Sequence, residues 1–385
     1  MTLTEELPQI LKDFEFGTEK YAVNVVEAIL NLAMRRNASD LHLLPQENGT
    51  ELALYFRIDG VLESAGSIAG AVNVVSRLKV ISSLLTYRTD IPQEGRVKRN
   101  SAESEIRIST FPTLHGEKAV VRFFVGSGQY SYLADLNYEA EIQQQIEHLL
   151  LQTSGLLLTC GPAGAGKTTS LYAFIREIQR ASANSRSICT LEDPVEAVVP
   201  CISQSLVKPE TDFNYQRGLI SLMRQDPDVI MVGEIRDRET AQIVFQASLT
   251  GNFVLSTFHA GTAADALGRL ADMDIEPYVI RSGLSAILAQ RLLRKVCECQ
   301  SSASESCPKC RRTGYAGRIV VAELLKIQDQ NLIQGVLNRV DVQTLEKLAI
   351  TSGMTTMVQS AQRFERDGET TMEECIRVFG PDFSS

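Results

Sequence analysis

"GPAGAGKT", Gly161 to Thr168, stands between the apolar run "GLLLTC" and a segment with Leu171, Phe174, Ile175 and Ile178 on one helical face. A glycine-rich loop between a strand and a helix, closed by lysine and threonine, has the full pattern of a phosphate-binding loop. Its glycines let the chain curl so that backbone N–H groups face phosphate oxygens, and the following helix N-terminus adds positive potential. Gly161, Pro162, Ala163, Gly164, Ala165 and Gly166 are therefore assigned to nucleotide binding, with Thr169 behind them. Lys167 is placed to reach the terminal phosphates, and Thr168 offers a hydroxyl to magnesium.

Outward from this loop, short apolar strands alternate with amphipathic helices, which predicts a mostly parallel sheet covered on both faces. "SICTLEDP" ends on Glu192 and Asp193, "DVIMVGE" on Glu234, and "FVLSTFHA" on Thr257 and His259. Open α/β sheets bind ligands at the C-terminal ends of their strands, and each of these strands ends in polar groups. Such sites commonly hold magnesium through an aspartate at a strand end, but here "VIMV" leads to Gly233 and Glu234. Asp228 precedes that strand and, at about 3.3 Å per residue, lies on the order of 15 Å from its far end. Glu234 is given the metal-side or water-side role, the alternative being an ion pair with Arg236. Glu192 is the first choice of general base, and Asp193 and Glu196 divide evenly between site and turn. His259 is expected to contact the γ-phosphate or to report its loss.

The first half reads differently. "AVNVVEAILNLAMRR" and "GAVNVVSRLKVISSLL" have helical periodicity, while "ELALYFRIDGVLES" and "SEIRISTFPTLHGEKAVVRFF" alternate like hairpins around Asp59-Gly60 and His115-Gly116. The expectation is a short acidic leader over 1–19, a small α+β domain over 20–125, a linker over 126–137 and the α/β domain over 138–385. The 385 residues suit two domains. A formal charge of −9, from 38 basic and 47 acidic residues, disfavours a broad nucleic-acid surface. No apolar run approaches the roughly 18 residues that span a membrane, and the N-terminus does not read as a signal peptide, so a cytoplasmic location is expected.

Four of the eight cysteines crowd into "CECQSSASESCPKC" as Cys297, Cys299, Cys307 and Cys310. Four thiolates satisfy tetrahedral zinc and leave no position for water, which makes the site structural. The first pair is separated by Glu298 alone, a tighter bite than the two-residue gap of the second.

Together, "GPAGAGKTTSL", "TLEDPVE", "LMRQDPDVIMVGEIRDRETAQIVFQASLTGNFVLSTFHA" and "ILAQRLLRKVC" resemble the secretion ATPases of type II secretion and type IV pilus assembly. The resemblance runs from about residue 20 to the mid 360s, and "ASDLHLLP" and "YFRIDG" look like the start of the family's small domain. It implies a PAS-like α+β domain before a RecA-like ATPase domain, with ATP, Mg2+ and structural Zn2+. It also implies a ring of six acting on an inner-membrane platform protein, so that membrane association is indirect. Arg96, Arg107 and Arg122 match family positions that close over the nucleotide, Arg107 and Arg122 as γ-phosphate contacts. His259 is followed by Ala260 and Gly261 where the family commonly has threonine and asparagine. The long N-terminal extension that many assembly members use for docking is expected to be absent. A tetracysteine loop favours an assembly motor over a retraction motor of the same family. The competing class, a RecA-like nucleic-acid translocase, is disfavoured by the acidic balance.

Overall fold

The computed structural model describes residues 1–97, 106–123, 130–299 and 307–384. The chain divides into two compact units, Met1–Gly126 with Cys297–Gly317, and Ser127–Val296 with Arg318–Ser385.

In the first unit, α1 (Leu3–Leu11) and α2 (Tyr21–Arg35) precede β1 (Asp40–Pro45), β2 (Glu51–Ile58), β3 (Val61–Ala69), α3 (Ala71–Ile81), β4 (Gln93–Val97), β5 (Ile106–Thr113) and β6 (Gly116–Phe123). The strands form one sheet in the order β3-β2-β1-β6-β5-β4. Alternation along β2 sends Leu52, Leu54 and Phe56 into a core with Val25, Ile29, Val74 and Leu78 of the two longer helices. The β5–β6 hairpin turns one residue earlier than the glycine suggested, because Thr113 already pairs with Gly116. Residues read as an acidic leader instead contain α1, whose Leu3 and Leu7 are buried. Glu6 accepts a hydrogen bond from Arg36 Nε at 2.7 Å, so the acids of this segment fasten it to the end of α2.

The second unit contains α4 (Ala140–Leu150), β7 (Gly155–Cys160), α5 (Lys167–Ala181), β8 (Ile188–Glu192), β9 (Ser203–Leu206), α6 (Tyr215–Leu222), β10 (Val229–Val232), α7 (Arg238–Leu249), β11 (Phe253–Phe258), α8 (Ala263–Asp272), α9 (Pro277–Gly283) and β12 (Leu284–Val296). It continues through β13 (Tyr315–Lys326), whose first residues count with the first unit, and α10 (Gln330–Leu337), α11 (Val342–Thr351), α12 (Met357–Arg366) and α13 (Met372–Phe379). The sheet order is β13-β12-β7-β11-β10-β8-β9, with parallel pairing from β12 through β9. β7, β8, β10 and β11 are buried throughout. Successive residues serve opposite faces, as alternation requires. Leu156, Leu158 and Ile230 join α7 and α8 in one core, and Leu157, Met231 and Leu255 join α4 and α5 in the other.

Glu323, 2% exposed on β13, ties the C-terminal helices to this sheet. Its Oε1 accepts from Ala263 N at 2.7 Å and its Oε2 from Met357 N at 3.0 Å, so one side chain caps the starts of both α8 and α12. Burial raises its carboxyl above the usual range, and the two backbone donors oppose that shift. Only a carboxylic side chain can offer an acceptor oxygen in both directions. Glu323→Gln would set an amide NH2 against one of the two N–H donors, and we expect about 1–3 kcal/mol of lost stability in denaturant melts. An unchanged midpoint would contradict the double-cap role.

Candidate nucleotide site

The phosphate loop leaves β7 at Gly161, and Gly161, Gly164 and Gly166 all have positive φ. A Cβ at Gly161 would come within 2.5 Å of the Gln290 carbonyl, so glycine is required there for close approach as well as for φ. Gly166 is the left-handed residue from which α5 starts, with Lys167, Thr168 and Thr169 in its first turn. The loop thus runs Gly161, Pro162, Ala163, Gly164, Ala165, Gly166 into a helix N-terminus, the arrangement that favours anions. Lys167 is largely buried, and its ammonium donates to the carbonyls of Gly161 at 2.8 Å and Pro162 at 3.0 Å. Burial lowers its pKa, while Cys160, Glu234 and Glu196 pull it back up.

The neighbouring strands end beside this loop. β11 pairs with β7 up to Phe258 opposite Cys160, one residue before His259 and Gly161 respectively. β10 lies next, with Val232 opposite Ser256, and carries Gly233 and Glu234 beyond its end. β8 follows and ends on Glu192. Glu234 is paired on both oxygens, Oε1 with Arg236 and Oε2 with His259 Nε2 at 3.3 Å. The Arg236 pair raised from sequence is therefore present, together with the histidine. Thr168 hydroxyl and Glu234 carboxylate oxygens are hard donors of the kind magnesium prefers, so these residues fit that ion.

Glu192, the first choice of base, sits at its strand end with both oxygens hydrogen-bonded. It is 2% exposed, and its oxygens accept hydrogen bonds from Tyr172, Thr190 and, at 3.1 Å, Gln204 Nε2. The Tyr172 hydroxyl in turn accepts from the backbone of Glu196 at 3.1 Å and Ala197 at 3.3 Å. Glu192 is thus the clamp that shapes the segment carrying Glu196. Sequence reading also missed Tyr215, whose hydroxyl abuts Gly233: a Cβ there would meet it at 2.7 Å. Burial first, and then Glu234 and Asp193, push that hydroxyl well above its ordinary pKa.

Arg96, Arg107 and Arg122 lie in the first unit, where they form a single cross-strand row. Arg96 is opposite Arg107, Arg107 opposite Arg122, Arg122 opposite Asp40 and Asp40 opposite Arg57. Directly opposed residues share a face of the sheet, so four guanidiniums line up there with one carboxylate among them. Asp40 reaches Arg122 at 2.9 Å and Arg57 at 3.8 Å, and Glu94 reaches Arg107 at 3.2 Å. Arg57 is an addition to the row. The periodicity of "YFRIDG" placed it on a strand, but only register shows which residues it accompanies.

The four cysteines also belong to the first unit. The Sγ atoms of Cys297, Cys299, Cys307 and Cys310 all lie within 4.8 Å of one another. Cys297 and Cys307 are 3.8 Å apart and Cys299 and Cys310 3.6 Å apart, too far for disulfides and close to the roughly 3.8 Å edge of a tetrahedron with Zn–S near 2.3 Å. The residues therefore fit zinc despite the narrow first pair. The N–H of Cys310 brings the Cys307 thiol down to about 7 against the opposing effect of desolvation, with help from the Lys309 N–H and the neighbouring thiols. Arg312, just past the cluster, donates to Glu5 of α1 at 3.0 Å.

A family profile described as type II/IV secretion system protein matches residues 17–377. The type II secretion system protein HxcR of Pseudomonas aeruginosa is 37% identical over 98% of this chain and 81% of its own length. The type II secretion system ATPase E of Vibrio cholerae is 36% identical over 98% of this chain and 79% of its own. In fold, the chain resembles the Legionella pneumophila ATPase DotB, with a TM-score of 0.72 at 19% identity over 92% of this chain and 94% of that one. With the phosphate loop, the glutamate after β10 and the histidine after β11 in adjoining positions, the chain belongs to the type II/IV secretion system protein family.

Proposed function

We propose that this chain is a motor ATPase that hydrolyses ATP to drive assembly of a type II secretion pseudopilus or a type IV pilus. The observation that carries the reading is the convergence of the phosphate loop, His259, Glu234 and the Glu192-held segment on adjacent strand ends. Lys167 and the loop N–H groups would bind the β- and γ-phosphates, with Thr168 and Glu234 on the magnesium side. Magnesium would neutralise charge between those phosphates. The acids whose field reaches Lys167 are Glu234 and Glu196, and we assign water activation to this pair, with Glu192 holding Glu196 in place. His259, bonded to Glu234, would change partner when the γ-phosphate leaves. Arg107 and Arg122 are assigned to γ-phosphate because guanidinium forks bind phosphate bidentately and neutralise developing charge. Arg96 is placed on the nucleotide with them.

The working form we propose is a ring of six chains at the cytoplasmic face of the inner membrane, pushing on a platform protein that spans it. Among the described residues no helix is long and apolar enough to cross a membrane, which fits attachment through a partner. Sedimentation with a non-hydrolysable ATP analogue and magnesium tests the ring. We expect the mass of six chains of 42.4 kDa, and a monomer at high protein concentration would overturn the ring.

A further inference from the structure

A buried polar cluster lies directly behind the phosphate loop, and none of its members is among the residues assigned above to nucleotide contact. Gln290 of β12, 1% exposed, donates from Nε2 to the Ala165 carbonyl at 2.7 Å. Its Oε1 accepts from the Tyr138 hydroxyl at 2.6 Å and the Ser170 hydroxyl at 3.1 Å. The two hydroxyls are 2.8 Å apart, and Ser170 Oγ also lies 3.2 Å from the Gly166 carbonyl. The donor–acceptor assignment is forced: a carbonyl faces one end of the Gln290 amide, so that end must be NH2 and the end facing two hydroxyls must be the oxygen. Burial pushes the Tyr138 phenol well above its ordinary pKa, so it stays a neutral donor.

The position of these bonds matters more than their number. A trans peptide points its C=O and N–H in opposite directions. Holding the Ala165 carbonyl against Gln290 therefore turns the N–H of Gly166 the other way, while the Gly166 carbonyl already accepts from the Ser170 backbone N–H at 3.0 Å in the first turn of α5. Inward-facing N–H groups are what make such a loop an anion cradle. Gln290 also meets the loop through its backbone, since its carbonyl is the atom that forbids a Cβ at Gly161. Tyr138 lies between the turn Leu133–Leu136 and α4, within the second unit.

We propose that Gln290 is a positioning residue for the phosphate loop, oriented by Tyr138 and Ser170, and that by holding the Ala165 carbonyl it fixes the direction of the Gly166 N–H toward the nucleotide phosphates. The inference rests on the nucleotide reading above and extends it to a strand that carries no contact residue of its own. The consequence is selective. Loss of the amide should weaken binding in proportion to the number of phosphates on the nucleotide, while general stability is shared among many other contacts.

The test uses full-length protein titrated with magnesium and fluorescent ADP, a fluorescent non-hydrolysable ATP analogue and fluorescent AMP, beside thermal melts. Wild type should bind the di- and triphosphate, and failure at that step would refute the nucleotide reading itself. Given wild-type binding, Gln290→Leu should weaken the diphosphate and triphosphate by at least about tenfold and the monophosphate by much less. Affinities within twofold of wild type, or equal losses for all three nucleotides, would overturn the positioning role. Tyr138→Phe keeps the ring and removes only the orienting hydroxyl. It should produce the same phosphate-ranked loss at roughly two- to fivefold. If Gln290→Leu does not fold, the Tyr138→Phe series decides alone, and a flat series refutes the proposal.

Discussion

Lys167→Ala is expected to abolish ATP turnover, with phosphate release falling by at least about 100-fold while the fold is retained. The side chain is a largely buried cation within the loop. It is held by the Gly161 and Pro162 carbonyls and lies in the field of Glu234 and Glu196. Removing it takes away the charge that would neutralise the terminal phosphates, along with two hydrogen bonds that set the loop's shape. Circular dichroism and a melt on the same sample separate lost chemistry from lost structure. A folded Lys167→Ala protein that still releases phosphate at the wild-type rate would mean that the loop is not the site of hydrolysis.

Zinc removal is the second large effect. Purified protein should carry one zinc per chain by elemental analysis, because four sulfurs already stand within 4.8 Å of one another. Structural zinc in small modules is worth on the order of 10–16 kcal/mol of apparent binding energy, so a strong chelator should disorder the loop rather than merely loosen it. The loss should spread to α1, since Glu5 would no longer meet an ordered Arg312. We expect new proteolytic cleavage within 307–317, four additional titratable thiols and a lower melting temperature. Metal-free protein with unchanged melting and no new cleavage would show that the cysteines hold nothing together. Zinc affinity should also weaken as the pH falls, because protons compete with the metal for the four thiolates.

Much of this architecture could be read from residue order, and the exceptions have physical causes. The loop from Gly161 to Thr168 and the ends of β8, β10 and β11 were legible because buried parallel strands are continuous apolar runs, and polar groups at their ends stand out. β12 was not. "LSAILAQRLLRKV" is rich in leucine, alanine, arginine and lysine, all good helix formers, yet it lies parallel beside β7 and is a strand. Pairing with a buried neighbour outweighed intrinsic preference. With the strand went Gln290, whose importance depends on the Ala165 carbonyl opposite it, a contact between positions 125 residues apart.

Glu192 shows the complementary limit. Its place at a strand end was legible, but its three hydrogen-bond donors come from α5, β8 and β9, and no local pattern distinguishes a clamp from a base. By composition the first residues look like a short acidic leader. Leu3 and Leu7, one helical turn apart, are what the first unit uses. Arg96, Arg107 and Arg122 were picked out by resemblance, and strand register then added Arg57 to the same face.

Turnover of ATP by the strand-end cluster in an assembled ring can be measured as phosphate release from MgATP across a range of protein concentrations. We expect measurable release whose rate per chain climbs as assembly proceeds and then levels off. No release above background at any concentration, including those at which the chains are assembled, would contradict it.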